Sequence, residues 1–385
     1  MSNPVDVVIV GGGPVGAFAA LCLRDSPLSV LHVDSAEADA GERPIALAHG
    51  SRQLLEARDV FRRIPNTPIR TIHVSQRGAF GRVLIEAGEH GVPALGYVAD
   101  YSAIRSAIAE SPVALPGHVT GWTLADGHVT VHASDQHGVM QDIHARLLVL
   151  ADGTGRIARL GSPEAADTSV IRDYGQSAIV AQVRTEVPHC NTAYERFTAE
   201  GPLALLPNGD GFALVWCVAK STAPALLDMD NPSFLSRLGA MFGSRLGKFV
   251  DAGQRSSFPL SLRYLKRDFG SRIVAIGNAA QSLHPVAGQG LNLGLRDAWE
   301  LAAALRECGD GNIPEGFGEG FMRQRGADRR LEIGLTDSLV RIFSRPGLAP
   351  GVLRGMALLA VDTLPPARRL LAQTMMYGLR SNHRS

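Results

Sequence analysis

The sequence predicts an α/β protein: a parallel sheet interrupted by a mostly antiparallel β-sheet domain and followed by a C-terminal helical region. Three observations carry that prediction. A glycine-rich loop, GGGPVG, follows the continuous apolar run VDVVIV, Val5–Val10. Two more apolar runs ending in turns, ARLLVLADG (Ala145–Gly153) and RIVAIGN (Arg272–Asn278), stand far down the chain. Between them, from about Ser169 to Leu262, the texture changes to alternating strands. Unbroken apolar runs suit strands buried on both faces of a parallel sheet, whereas alternation suits a sheet with unlike faces.

Taken in order, Val5–Val10 is a buried strand, Pro14–Arg24 a helix and Leu28–Asp34 a second strand, which together make a β-α-β unit. A helix is expected near Ala46–Arg58, a strand at Ile69–Gly78 and a helix at Ser102–Glu110. Residues Val119–Val149 read as a hairpin, with Asp126-Gly127 as a tight-turn signal. LALLPNGDGFALVWCVA (Leu203–Ala219) alternates and turns at Asn208–Gly211. Its residues Leu203–Leu206, Phe212, Leu214 and Trp216 are read as sheet core, with an aromatic-pocket lining as the alternative. Leu291, Leu295, Ala298, Ala302 and Leu305 recur at helical spacing, and helical patterns dominate beyond Glu315.

With 385 residues, 45% of them hydrophobic and 19% charged, the chain has an ordinary globular composition. Cys22, Cys190, Cys217 and Cys308 form no C-x-x-C pair, which argues against a zinc site or a disulfide framework and fits a reducing cytosol. The histidines show no metal spacing, so no metal is expected. MSNPVDVVIV has no basic n-region, so no signal peptide is expected, and GMALLAV (Gly355–Val361) is far shorter than the ~20 residues of a spanning helix. The net charge of +1 hides an asymmetry. Residues 321–385 hold 11 arginines, no lysine and four acids (Asp328, Glu332, Asp337, Asp362), a net +7. That basic tail suggests an anionic surface or acidic partner, or a solvated helical face; nucleic acid is disfavoured for want of aromatic interleaving.

Three motifs carry chemistry. Gly11, Gly13 and Gly16 fit G-x-G-x-x-G between strand and helix, with Pro14 and Val15 inside the loop. Asp34 ends the next strand, where a carboxylate accepts hydrogen bonds from ribose hydroxyls. This is a Rossmann-like dinucleotide signature that leaves NAD and FAD open. Asp152-Gly153 follows the second buried strand; alone it reads as a turn. The third stretch is GNAAQSLHPVAGQGLNLGLRDAWELA, Gly277–Ala302. Asn278 can hydrogen-bond a sugar-like chain, while His284-Pro285 and Gly288-Gln289-Gly290 can edge a planar ring. Glycines at a helix start let a flat or anionic ligand approach exposed N–H groups. No second G-x-G-x-x-G exists, so no separate nicotinamide-nucleotide domain is expected.

In order and spacing, these motifs resemble the flavoprotein aromatic hydroxylases of the p-hydroxybenzoate hydroxylase type. The third motif has Gly277-Asn278 where that family has Gly-Asp. With RPIALAHGS (Arg43–Ser51), ERFTAEGPLALLP (Glu195–Pro207), LVWC (Leu214–Cys217) and TDSLVRIF (Thr336–Phe343), the chain is similar to the ubiquinone-biosynthesis hydroxylases, in the branch of the 2-octaprenyl-6-methoxyphenol hydroxylases. The resemblance implies non-covalent FAD. Its pyrophosphate would lie on Gly13–Gly16, its ribose on Asp34, its middle near Asp152 and Asn278, and its ring on Gly288, Gln289, Gly290, Leu291 and Asn292. Arg43 would lie near flavin or the nicotinamide donor.

The implied reaction takes NAD(P)H and O2, forms a flavin C4a-hydroperoxide and hydroxylates a polyprenylated phenol. It needs no protein nucleophile; His284 is the candidate general base, with turn-shaping before Pro285 as the alternative. Other readings are a sister hydroxylase of another ring position or phenol, and a catalytically silent flavin-binding subunit of a biosynthetic complex. A polyprenyl substrate implies a cytoplasmic enzyme that visits the membrane, with the arginine-rich C-terminal region as the contact. The implied domains are residues 1–75, 95–168 and 268–320 for FAD, 76–94 and 169–267 for substrate, and 321–385 as the helical region.

Overall fold

The computed structural model describes residues 4–34, 43–78, 80–109, 115–125, 127–135, 137–153, 155–157, 169–265, 270–282, 289–309, 312–326, 329–330, 334 and 348–378. Strand Val5–Val10 pairs in parallel with Val30–Asp34 on one side and with the end of Met140–Leu150 on the other. Ile273–Ala275 continues the parallel sheet beyond Leu148–Leu150. Val7–Ile9 and Leu147–Leu150 are fully buried, as expected of central parallel strands. The expected hairpin is a three-strand meander: Leu115–Ala125, His128–Asp135 and Met140–Leu150 run antiparallel, and the last becomes the core strand. Helix Pro14–Leu23 packs against helix Gln289–Glu307 and is buried along nearly its whole length.

A nine-stranded sheet forms the second layer. Its order is Gln281–Ser282, Ser256–Leu265, Ser169–Thr185, Gly211–Ala219, Pro202–Asn208, Thr192–Phe197, Thr71–Gln76 and Arg82–Glu86, with Phe249–Ala252 also on Ser169–Thr185. Most pairs are antiparallel, but Thr192–Phe197 joins Thr71–Gln76 in parallel. This sheet takes in Thr71–Gln76, ahead of the boundary expected at residue 76. Strand alternation divides its faces. Ile179, Leu203, Leu205, Phe212, Leu214 and Trp216 face helices Ala223–Asp228 and Asn231–Phe242 and form a core. Ala178, Ala204, Leu206 and Val215 face inward to a cavity.

One expected helix is corrected. Its expected first residues, Ala46–Ala48, belong instead to strand Pro44–Ala48, paired with Gly96–Asp100, and the helix runs only His49–Glu56. Partners far away in sequence override the local helical pattern. At the C-terminal end, helices Leu348–Thr363 and Pro365–Tyr377 dock on Arg82–Glu86 through Leu358, Ala372 and Met376 against Val83, Ile85 and Leu95. Among the described residues no helix is long and apolar enough to cross a membrane.

Candidate functional site

The three motif loops converge. Gly11, at φ +121°, lies so close to the second loop that a Cβ would stand 2.8 Å from the Asp152 nitrogen. Gly16 sits against the Gly11 carbonyl, and the Asp34 carboxylate fills the space beside Gly12. Gly277, at φ +57°, packs on Val15, its ideal Cβ position 3.0 Å from Val15 Cγ1. Gly294 closes the same joint, with ideal-Cβ distances of 2.6 Å to Val15 Cγ2 and 3.1 Å to Gly277 Cα. Arg263, on the second sheet, spans the other two loops: its Nη2 donates to the Gly153 carbonyl (3.3 Å) and the Asn278 carbonyl (2.5 Å).

Gly13 caps helix Pro14–Leu23 without a side-chain hydrogen bond, Pro14 is the first helical residue, and no acid sits in the first turn. The nearest atom to a Gly13 Cβ would be the Tyr101 hydroxyl at 3.6 Å. Open N–H groups and the positive helix end make this an anion cradle. Arg105, one turn after Tyr101, donates to the Gly12 carbonyl (3.3 Å) and lies 3.6 Å from Asp34 Oδ2. Arg43 lays its guanidinium over the Tyr101 ring at 4.5 Å, and its buried Nε has no hydrogen-bond partner. Asp152 Oδ2 accepts the N–H groups of Arg156 (2.9 Å) and Ile157 (3.3 Å), which shapes the turn that carries Gly153.

Gly13, Pro14, Val15, Arg43, Gly153, Asn278 and Gln289–Asn292 line one end of a cavity of ~690 Å³. A Cβ on Gly290 would have Asn278 Oδ1 as its nearest neighbour, 4.0 Å away, so the backbone there is open to a ring. The Asn292 side chain has a second task. It accepts from Ala48 N–H (2.8 Å) and donates to the Ala46 carbonyl (2.9 Å), which ties strand Pro44–Ala48 to the helix start. His284, Pro285 and Gly288 lie outside the described residues.

Sequence reasoning missed the groups that set the loops. Asp297 is 2% exposed; it accepts from Gly277 N–H (3.4 Å), from Gln281 Nε2 (3.2 Å) and from Arg325 Nε (2.9 Å). Arg325, equally buried, also reaches Glu300 at 2.7 Å. Arg325 and Arg329 are buried, so the arginine excess of the C-terminal region is not all surface. Glu195 was quoted only as part of a longer match. It lies on the cavity wall, and burial pushes its carboxyl up to about 7. Burial of the Cys217 thiol, and after it the charge of Glu195, raises that thiol. Glu195 retains some exposed surface, but that surface faces the cavity rather than bulk water.

Comparison with known proteins agrees with this geometry. The FAD binding domain family matches residues 103–317, over half of the chain. Ubiquinone hydroxylase UbiL of Rhodospirillum rubrum is 33% identical over 97% of this chain and 90% of its own. The 3-demethoxyubiquinol 3-hydroxylase of Escherichia coli is 29% identical over 79% and 80%. The human mitochondrial ubiquinone biosynthesis monooxygenase COQ6 is 27% identical over 94% and 90%. Among solved structures, p-nitrophenol 4-monooxygenase of Pseudomonas putida superposes with a TM-score of 0.73 at 18% identity, covering 98% of both chains. PqsL of P. aeruginosa gives the same score and identity over 92% of this chain and 99% of its own. The fold is that of the p-hydroxybenzoate hydroxylase-like monooxygenases. The chain belongs to the FAD-dependent hydroxylase family of ubiquinone biosynthesis, flavoprotein monooxygenases for which NAD(P)H is the typical co-substrate.

Proposed function

We propose that this enzyme hydroxylates the ring of a polyprenylated phenol on the way to ubiquinone, with 2-octaprenyl-6-methoxyphenol as the first substrate to test. The observation that carries the reading is the continuous cavity. It begins at Gly13, Asn278 and Gln289–Asn292, passes the apolar inner face of the second sheet and reaches Leu358, Val361, Leu371 and Met375 on the C-terminal helices. A planar head and a long apolar tail need such a shape.

The loop residues fit FAD. The open N–H groups of Gly13–Gly16 suit its pyrophosphate, Asp34 the adenosine ribose, and Asn278 the ribitol chain. The N-terminus of helix Gln289–Glu307 would face the flavin ring, where its dipole would favour the reduced anion by roughly 0.3–1 kcal/mol, more when buried. The partnerless Nε of Arg43 at the cavity wall suits a polar edge of the flavin or of NAD(P)H. FAD held there would supply the redox chemistry, taking electrons from NAD(P)H and making O2 available for transfer of one oxygen atom to the phenol. The protein holds the phenol beside it and keeps water out.

A polyprenyl tail carries ~0.8 kcal/mol of transfer free energy per CH2-sized group, so the substrate resides in the bilayer. The arginines of the C-terminal region are partly internal, and the helices instead present an apolar stripe. Val352, Met356 and Leu359 recur at helical spacing and are 47–56% exposed, and Leu364 and Leu370, further along the chain, are exposed as well. Ala357, between Met356 of this stripe and the inward-facing Leu358, is exposed and also lines the cavity. Peripheral membrane contact through these helices, with tail access at Ala357, belongs to the proposal, as does a place in a ubiquinone-biosynthesis complex.

The test is turnover of the yellow holoenzyme with NAD(P)H, O2 and the phenol in mixed vesicles. The expected product is heavier by one oxygen atom. A flavin that is reduced and reoxidised while every phenol supplied stays intact would overturn the reading. Profiling the quinone intermediates of a deletion strain then names the ring position.

A further inference from the structure

Glu195 is a carboxylic acid on the wall of an otherwise apolar cavity. On strand Thr192–Phe197, the side chains of Ala193, Glu195 and Phe197 face the cavity. Tyr194 packs on the opposite face against Phe212 and Phe242, and Arg196 reaches Ser75. The cross-strand neighbours of Glu195 are Ala204 and Val74, neither of them polar. Strand Gly211–Ala219, next but one in the sheet beyond Pro202–Asn208, brings the Cys217 thiol within reach of its charge. On strand Thr71–Gln76, His73 pairs with Tyr194 rather than with Glu195. Burial, Arg245, Arg82 and Arg196 hold that histidine down at about 4, so it stays neutral. Among the described residues no cation offsets Glu195, and burial sets its proton affinity. This carboxylate faces the space that the hydroxylase reading assigns to the phenol.

We propose that Glu195 is the general base that accepts the phenolic proton of the substrate. This rests on the hydroxylase reading above and adds the residue that activates the ring. The O–H bond of the phenol breaks, its electron pair stays on oxygen, and the proton bonds to a carboxylate oxygen of Glu195. No electrons change hands. The phenolate is richer in electrons at its ortho and para carbons, where the oxygen atom is delivered. As the ring regains aromaticity the proton on its oxygenated carbon passes to water, the C–H electron pair returning to the ring, and Glu195 returns the stored proton to the phenolic oxygen of the product. A carboxyl lifted to about 7 is a base matched to neutral pH.

The test compares wild-type, E195Q and E195D holoenzymes, with 2-methoxyphenol and 2-octaprenyl-6-methoxyphenol as probes. Bound FAD per chain confirms that each protein is folded. E195Q is expected to lower kcat by about 10²- to 10⁴-fold with a smaller change in KM. The wild-type kcat should rise with pH along a limb centred near 7; E195D should keep a limb and E195Q should lose it. An E195Q enzyme with the wild-type kcat and the same limb overturns the assignment. So does a wild-type profile with no limb near pH 7, a readout that does not depend on E195Q folding. A wild type that makes no hydroxylated product overturns the hydroxylase reading, and this assignment with it.

Discussion

Gly294 sits where one methyl group decides whether two helices and a turn can meet. An alanine Cβ there would press on Val15 Cγ2 and on Gly277 Cα, and the second of these is backbone that cannot rotate away. Gly294→Ala should cost about 1–3 kcal/mol, as overpacking does, and shift Gly277 away from the first loop. Thermal melting and FAD stoichiometry check it: both should fall together. Glu195 makes a prediction of opposite sign for stability. Its native carboxyl titrates at about 7 against an ordinary 4.5, so the native state holds its proton more tightly than the unfolded chain. Stability from this group is full below 4.5 and declines as pH rises through 7. Above that range the ionised form is a burden of up to about 3 kcal/mol, and E195Q should melt higher than wild type there while matching it in acid. Equal melting temperatures at pH 8 and above would contradict this.

At the scale of elements, helix Gln289–Glu307 organises the site from both ends of its first turns. Asn292 holds strand Pro44–Ala48, and Asp297 gathers Gly277, Gln281 and Arg325. Removing one partner of a buried ion pair strands the other's charge. Arg325→Met should therefore destabilise by about 3–5 kcal/mol, loosen the Gly277 turn and release FAD. Adding Asp297→Asn to R325M should recover part of the loss, because the stranded carboxylate becomes neutral; calorimetry of both variants reads the sign. The helix itself was legible in the sequence, since its apolar repeat and glycine-rich start are local features. The first loop was legible for the same reason. The Asp297–Arg325 pair was not: its members stand 28 positions apart, and arginine in a basic tail reads as surface. Ala46–Ala48 carries a local helical pattern but folds as strand, because its strand partner, Gly96–Asp100, is distant in sequence. Glu195 escaped notice because a charge on an alternating strand is ordinarily assigned to the wet face, and here both faces are covered.

At the scale of the whole molecule, the C-terminal helices complete the cavity rather than merely follow it. Asp362 accepts from the Leu84 N–H at 3.2 Å, and Gly355 fits so closely that a Cβ would stand 2.6 Å from the Phe80 carbonyl. The docked helices turn Leu358, Val361, Leu371 and Met375 toward the cavity and Val352, Met356 and Leu359 toward solvent. On the proposed reading, two faces of one helical pair would carry separable tasks, exclusion of water and contact with lipid. Leu371→Glu places a charge on the inner wall at a half-buried position, where the chain should still fold. Water drawn in beside it should let NAD(P)H oxidation proceed while hydroxylated product per NAD(P)H falls, roughly threefold or more, with peroxide making up the difference. Leu359→Glu alters the outer stripe, and its expected signature is weaker co-sedimentation with vesicles of neutral and anionic lipid alike, since the contact is apolar. Binding that responds only to anionic lipid would return the membrane contact to the exposed arginines. An L371E enzyme that stays fully coupled would show that the inner face of these helices does not seal the cavity.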